Sequence, residues 1–348
     1  MNPTGFHDDL LAKPSTLRAL ARSLRQSPAS WPVDHQTGTI VLAGMGSSYF
    51  AADVAALRMR RLGLSVVSER ASAEHLPLLR QGDVLVGISA SGASLETNRF
   101  LQLPTSARRL ALSNTRGSAI DQWCDATIDM AAMTEIGGVA CRSFTHTLVM
   151  LMALEIQLSS GPDGIAVLAA AVDAAADATQ SLLDRQDQWL GSATELLAGP
   201  HGCWVLAPAE RLSSASQGAL MLREGPRIAA VGCETGDWSH VDVYLTKTLD
   251  YRALLFTGSR WDNAAVDWMT QRSATLVSVG ARQVDFAKLT IRYPQDDDPV
   301  IALLTETIVP ELVAWNLWSQ TVDGERQTRN SETQTRDGET ALPPARDA

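Results

Sequence analysis

The sequence predicts an α/β protein made of two doubly wound parallel-sheet domains related by duplication. Three observations carry this. Short apolar runs alternate with helical stretches along most of the chain. Loops of glycine and serine follow several of these runs, as in Val84–Ile88 followed by Ser89-Ala90-Ser91-Gly92-Ala93-Ser94. The strand–helix order of the first half then recurs in the second, after an alanine-rich helical segment.

Residues 1–34 read as an N-terminal helical extension, and the first domain spans 35–160. Thr39–Ala43 is a strand, Gly44–Ser48 a loop and Tyr49–Leu62 a helix with small residues on one face. Strands follow at Ser65–Ser68 and Val84–Ile88, the latter continuous and apolar enough to be buried on both faces. Arg109–Ser113 and Ala126–Met130 complete the sheet, and Phe144–Leu158 is a long apolar helix. Residues 161–199 form a helical linker, with Gly164–Leu197 as its alanine-rich body. Gly199, Pro200 and Gly202 open the second domain, residues 200–320. Its strands are Gly202–Ala207, Arg252–Phe256, Ala274–Ser278 and Leu289–Tyr293; Ala209–Ser216 is polar with small residues, and helices cover Gln217–Arg223 and Val309–Trp318. Residues 321–348 are polar, with too few large apolar side chains to order themselves independently.

The chain has 348 residues, enough for two domains, with 45% hydrophobic and 20% charged residues. A net charge of -10 argues against a nucleic-acid or anionic-membrane partner. It leaves room for a small anion held in a local cradle. Four cysteines stand far apart with no Cys-x-x-Cys pair, as in a cytoplasmic protein with reduced thiols. No signal peptide opens the sequence, and the longest apolar stretches, such as Thr147–Leu158, are too short to span a bilayer. His75 and His146 lack partners at metal-ligand spacing, so no metal and no cofactor are expected. The nine tryptophans, Trp204, Trp238, Trp315 and Trp318 among them, read as core or dimer interface.

The serine loop has two readings. A strand that delivers small hydroxyls to a helix N-terminus builds a phosphate cradle, because unpaired amides and the helix dipole favour an anion there. The same serines also suit the N-cap of a structural helix.

Four segments stand out together: Gly44-Met-Gly-Ser-Ser-Tyr49; Ile88-Ser-Ala-Ser-Gly92 with Glu96-Thr97; Thr134-Glu-Ile-Gly137 with Phe144-Thr145; and Ala219-Leu-Met-Leu-Arg-Glu224 with Gly236-Asp-Trp-Ser-His240. In this order they are similar to the sugar isomerase (SIS) family. They resemble the tandem isomerase half of glucosamine-6-phosphate synthase and related phosphosugar isomerases and deaminases, over roughly residues 35 to 330. The resemblance implies two flavodoxin-like domains, a homodimer, and a phosphorylated hexose or amino sugar at the strand C-termini. It places Ser47, Ser89, Ser91 and Ser94 on the phosphate, with Ser48 and Gly92 beside them and Glu135 bordering the site. It makes Glu224 the carrier of a proton between adjacent carbons and His240 the ring-opening group, often lent to the partner subunit.

The departures matter as much. His240-Val241-Asp242 replaces the family's His-Gly-Pro, and Asp237 or Asp242 could pair with the imidazole. Met221 stands where the pattern has a lysine, and Arg142 where it has another, meeting either a phosphate or an adjacent carboxylate. Thr328-Arg329-Asn330 resembles the family's Pro-Arg-Asn, and its Schiff-base lysine is Thr333 here, which cannot form an imine. No N-terminal cysteine nucleophile precedes residue 35. The expectation is therefore isomerisation or amino-sugar deamination without glutamine-dependent amination, or else a non-catalytic sugar-phosphate sensor. A dinucleotide-binding reading of Gly44-Met-Gly46 and Glu69 is weakened by Tyr49 in place of the third glycine.

Overall fold

The computed structural model describes residues 1–27, 30–34, 36–160 and 162–335, with residues 162 and 322–335 described by backbone alone. The chain starts with two helices, α1 (Pro3–Leu11) and α2 (Lys13–Gln26). Asn2 caps α1 by accepting the Gly5 amide at 2.6 Å, ahead of a proline in the first turn. Leu17, Leu20, Ala21 and Leu24 form the buried stripe of α2.

The first sheet contains β1 (Ile40–Gly44), β2 (Val66–Arg70), β3 (Val84–Ile88), β4 (Arg108–Ser113) and β5 (Ala126–Asp129). Helices α3 (Ser47–Arg61), α4 (Leu95–Gln102) and α5 (Arg142–Ser159) accompany it. After α6 (Pro162–Asp184) and α7 (Gln186–Leu197), the second sheet contains β6 (Cys203–Ala207), β7 (Ala230–Glu234), β8 (Arg252–Phe256), β9 (Thr275–Val279) and β10 (Leu289–Ile291). Its helices are α8 (Leu212–Glu224), α9 (Thr235–Trp238), α10 (Asp262–Gln271), α11 (Pro299–Thr305) and α12 (Ile308–Thr335).

All strand pairs are parallel, in the orders β2-β1-β3-β4-β5 and β10-β9-β8-β6-β7. Read from its other edge, the second order is the first order repeated. Each sheet thus has one point where successive strands leave in opposite directions, between β1 and β3 and between β6 and β8. Such points leave a crevice beyond the strand C-termini.

Alternate residues of each central strand serve opposite faces. Leu42, Val86 and Leu112 of the first sheet share one continuous core with Val205, Leu254 and Val277 of the second. Helices α3, α5, α6, α8 and α12 supply the side chains between them. Val41, Leu85 and Ala111 face outward to Phe100 and Leu101 of α4, while Trp204, Leu206 and Leu255 face outward to Trp238, Tyr251 and Met269.

Several boundaries differ from those read in the sequence. The 161–199 linker is two helices, because the chain breaks at Arg185, whose guanidinium turns back to the Ser181 carbonyl at 3.1 Å and reaches the Arg292 carbonyl at 2.9 Å. The polar segment 209–216 is mostly helix: α8 begins at Leu212, and Ser213 and Ser214 are buried against the rest of the protein. Strand β7 was not anticipated, since Ala-Val-Gly-Cys-Glu has no apolar run and lies at the sheet edge. Helix α12 continues to Thr335, past the expected end at Trp318 and into the segment read as a tail, whose residues 336–348 lie outside the described residues. Two segments, Asp163–Asp184 and Pro299–Thr321, are in fact long and apolar enough to cross a membrane by length and composition alone. They are 50% and 78% buried inside the molecule, which accounts for their apolar character as core helices.

Candidate functional site

A cavity of about 390 Å³ opens at the C-terminal ends of β1, β3 and β4. Ser48, Ser89, Ser91, Ser94, Thr97 and Glu135 line it, with Asn114 and Thr115 from the loop after β4. Ser47 and Gly92 lie next to lining residues but do not line the cavity themselves.

The loop after β3 is built by short hydrogen bonds. The Ser89 amide donates to the Leu112 carbonyl at 3.1 Å, and the Gly92 amide closes a turn on Ser89 at 3.0 Å. Gly92 has φ +63°, and a Cβ there would lie 1.9 Å from Ser118 Oγ, so the tight return requires glycine. Asn98 Nδ2 ties the loop down through the Gly92 carbonyl at 3.2 Å and the Ser94 carbonyl at 2.7 Å.

The serines divide between the two roles the sequence left open. Ser94 caps α4, accepting the Thr97 amide at 3.3 Å and the Thr97 hydroxyl at 3.1 Å. Ser91 Oγ accepts the Ala93 amide at 3.2 Å. The hydroxyls of Ser48 and Ser89 make no hydrogen bond to protein among the described residues, and both front the cavity. Ser47 and Ser48 form the first turn of α3, which has no side-chain cap. The starts of α3 and α4 therefore face one space, bringing two positive dipole ends and open amides to it.

Glu135 holds a different helix. Its Oε1 accepts the amides of Cys141, Arg142 and Ser143 at 2.7, 2.6 and 3.1 Å, and its Oε2 accepts the Ser143 hydroxyl at 2.6 Å. It caps α5 from the rim of the cavity. Arg142 meets a carboxylate rather than the cavity: its Nη2 donates to Asp9 at 2.8 Å and to the Thr134 carbonyl at 2.5 Å. Asp9 also accepts the Gly137 amide at 2.8 Å and the Ile136 amide at 3.2 Å. Both partners of this pair are buried, at 5% and 3% side-chain exposure. Asp9 thus fixes the cavity wall formed by residues 134–140 from the N-terminal extension. Sequence reasoning missed it, and the only signal was an acidic residue beside Phe6 and Leu10 on the buried side of α1.

Glu224 does not line the cavity; it closes α8 on the neighbouring side. Residues 217, 220 and 224 share one face of that helix. Gln217 Nε2 donates to the Ala140 carbonyl of the cavity wall at 2.7 Å, and a methyl at Gly46 would lie 4.0 Å from Leu220. Burial pushes the Glu224 carboxyl above its ordinary pKa, with Arg223 opposing. Met221 points into the core, 1% exposed.

His240 lies in the exposed turn after α9, away from the cavity. Neither Asp237 nor Asp242 holds its imidazole. The Asp242 carboxylate accepts Trp204 Nε1 at 3.1 Å and faces Cys233 Sγ at 3.3 Å. Next to His240 in sequence, Val241, Tyr244 and Leu245 are exposed. His146 is buried, with Nδ1 2.9 Å from the Met130 carbonyl, and burial pushes its pKa down to about 4. Among the described residues, no group of three or more His, Cys, Asp or Glu is placed to hold a metal ion. The side chains of Thr328, Arg329, Asn330 and Thr333 lie outside the described residues.

Comparison with known proteins follows the same lines. Residues 35–156 match the family described as SIS domain. The chain is 23% identical over 323 residues to the glutamine–fructose-6-phosphate aminotransferase (isomerizing) of Pyrococcus horikoshii, covering 89% of this chain and 54% of the relative. It spans about half the length of that relative. Among solved structures, it is similar to the C-terminal domain of glucosamine-fructose-6-phosphate aminotransferase from Francisella tularensis, with a TM-score of 0.78, 17% identity, and 90% and 95% of the two chains covered. It is also similar to tagatose-6-phosphate ketose/aldose isomerase from Escherichia coli, with a TM-score of 0.71, 14% identity, and 91% and 93% covered. Glucosamine-6-phosphate deaminase from Thermotoga maritima gives a TM-score of 0.66 at 14% identity, with 91% and 95% covered. At these identities the structural likenesses establish the fold.

Proposed function

We propose, from the match of residues 35–156 to the SIS domain family, that the chain binds a phosphorylated hexose or amino sugar in the β1–β3–β4 cavity and isomerises or deaminates it. The observation that carries this reading is the pair of hydroxyls, Ser48 and Ser89, that have no protein partner among the described residues and front a cavity into which two helices start. Neutral hydroxyls and amides suit a dianionic phosphate in an acidic protein. Solved structures of similar fold named as tagatose-6-phosphate ketose/aldose isomerase and glucosamine-6-phosphate deaminase support this choice of substrate class.

In this reading Ser48, Ser89, Ser91 and Ser94 orient the phosphate, and the sugar extends toward α8. His240 opens the ring by moving the hydroxyl proton to the ring oxygen. Glu224 then takes a proton from one carbon and returns it to its neighbour through an enediol. A carboxyl with a raised pKa is suited to both halves of that transfer. His240 serves a second copy of the chain, and exposed Val241, Tyr244 and Leu245 beside it supply apolar surface for a homodimer. The matching strand orders support an origin of the two sheets by duplication, and the proposed location is the cytoplasm. Glutamine-dependent amination is not part of the proposal, since Thr333 replaces the Schiff-base lysine.

A second reading, a non-catalytic sensor, is favoured by one observation: Glu224 and His240 both stand outside the cavity of the single chain. Incubation with fructose 6-phosphate or glucosamine 6-phosphate in heavy water separates the two. Deuterium entry at the carbon next to the carbonyl supports the enzyme. Binding without exchange supports the sensor, and binding of neither sugar overturns both.

A further inference from the structure

The second sheet has a crevice of its own, about 780 Å³, at the divergence of β6 and β8. Arg61 of α3, the turn at Glu210, Glu234 at the end of β7, Arg260 and Trp261 after β8, and Arg282 after β9 form its walls. Strand β8 holds the place in its sheet that β3 holds in the first. The Thr257–Trp261 loop is therefore the counterpart of the serine loop.

The two loops differ chemically. Asp262, in the first turn of α10 and fully buried, folds its carboxylate back onto the loop. Its Oδ2 accepts the Gly258 amide at 2.7 Å and Arg282 Nη1 at 3.3 Å. Where the first crevice offers open hydroxyls, the second already holds an anion belonging to the chain. Gly258 has φ +132°, and a Cβ there would lie 3.0 Å from Nη2 of buried Arg211, which itself donates to the Thr257 carbonyl at 2.5 Å. The loop is packed and preformed, and a phosphate entering it would meet the Asp262 charge.

What remains open is a wall of balanced charge. Four arginines and four carboxylates line the crevice, so the lining itself has no excess of either sign, and Asp262 behind the loop adds a charge that opposes an anion rather than a neutral ligand. Guanidinium and carboxylate side by side present paired donors and acceptors, which match adjacent sugar hydroxyls. Arg260 has no carboxylate partner among the described residues and lies over the Trp261 ring at 4.8 Å from its centroid. Trp261 is 48% exposed, a broad apolar face beside polar groups. The volume falls within the range of about 300–1,000 Å³ usual for small-molecule pockets.

We propose that this crevice is a second, separate binding site for an unphosphorylated hexose or amino-hexose, its C–H face on Trp261 and its hydroxyls or amine shared between the arginines and carboxylates. The proposal stands on the second crevice alone and does not require the first to be catalytic.

Calorimetric titration of the full chain with D-glucosamine and D-glucose, beside glucosamine 6-phosphate and inorganic phosphate, tests it. At least one free sugar should bind at one site per chain. Trp261→Ala or Arg260→Ser should weaken that binding about tenfold or more, Ser89→Ala should leave it unchanged, and inorganic phosphate should not compete. The proposal is overturned if neither free sugar binds at roughly 10 mM. It is equally overturned if binding survives both crevice variants, is lost in Ser89→Ala, or is displaced by phosphate. A chain that binds glucosamine 6-phosphate through Ser89 and no free sugar refutes this site and leaves the first reading standing. The reverse pattern refutes the first reading and leaves this site.

Discussion

The two crevices share a topology and differ in what answers their loop amides. After β3, serine hydroxyls and two helix starts line an open cavity. After β8, the Asp262 carboxylate fills the equivalent position and Arg282 neutralises it. Strand order alone therefore places a crevice without deciding its ligand. At the start of α10, Asp262 turns back onto its loop, whereas Glu96 in the first turn of α4 meets the Ser94 hydroxyl instead. The crevices also differ in support. The first has a wall fixed by Asp9 from the N-terminal helices, whereas Arg211 backs the second, 3.4 Å from the buried Glu306.

The largest expected effect concerns the chemistry assigned to the first crevice. Glu224→Gln should reduce proton exchange into a phosphosugar by roughly 10²- to 10⁴-fold while binding is retained. Unchanged exchange would remove Glu224 as the proton carrier. Next comes Asp9→Asn, which leaves the buried Arg142 without its counter-charge. It should cost about 3–5 kcal/mol in denaturant unfolding and weaken phosphosugar binding, with free-sugar binding at the second crevice less affected. Equal losses at both sites would show that the N-terminal pair supports the whole molecule rather than one wall.

A pH prediction concerns the second crevice. Burial raises Glu306 to about 7, with Arg211 opposing. A carboxyl raised on folding contributes stability that is fully present below its unfolded pKa, about 4.3, and is lost as pH rises through 7. Wild type should therefore lose stability relative to Glu306→Gln as pH rises between these values, by at most about 1.4 kcal/mol per pH unit. Parallel curves for the two proteins would mean that Glu306 is ionised throughout. Ser89→Ala should weaken phosphosugar binding by about 1–2 kcal/mol with little change in melting. An unchanged affinity would assign Ser89 to structure. The smallest and most diagnostic change is Asp262→Ser, which removes the internal anion. Weak binding of inorganic phosphate should then appear at the second crevice; its absence would show that Asp262 is not what excludes it.

Strong, local signals were legible in the sequence. Val84–Ile88 and Arg252–Phe256 are strands with the expected bounds, because a run of buried apolar residues ended by Gly and Ser has few other uses. The residues Ser48, Ser89, Ser91, Ser94 and Glu135 share one cavity, as their places after β1, β3 and β5 imply. Features that depend on partners far along the chain were not legible. Ser213 and Ser214 belong to a stretch read only as polar and small, ahead of a helix expected from Gln217, but they are buried in α8, where tertiary packing overrides their preference for turns. Asp9 and Arg142 are separated by more than a hundred residues, and no local pattern links them. The position of His240 relative to any site depends on assembly, which a single sequence does not express.

One seam of helices, from α3 to α12, fills the space between both sheets. Neither sheet retains a dry underside if the other is removed, so excising residues 35–160 would produce a sticky fragment rather than a working half. Heat should melt the chain in a single endotherm, even though its architecture reads as two.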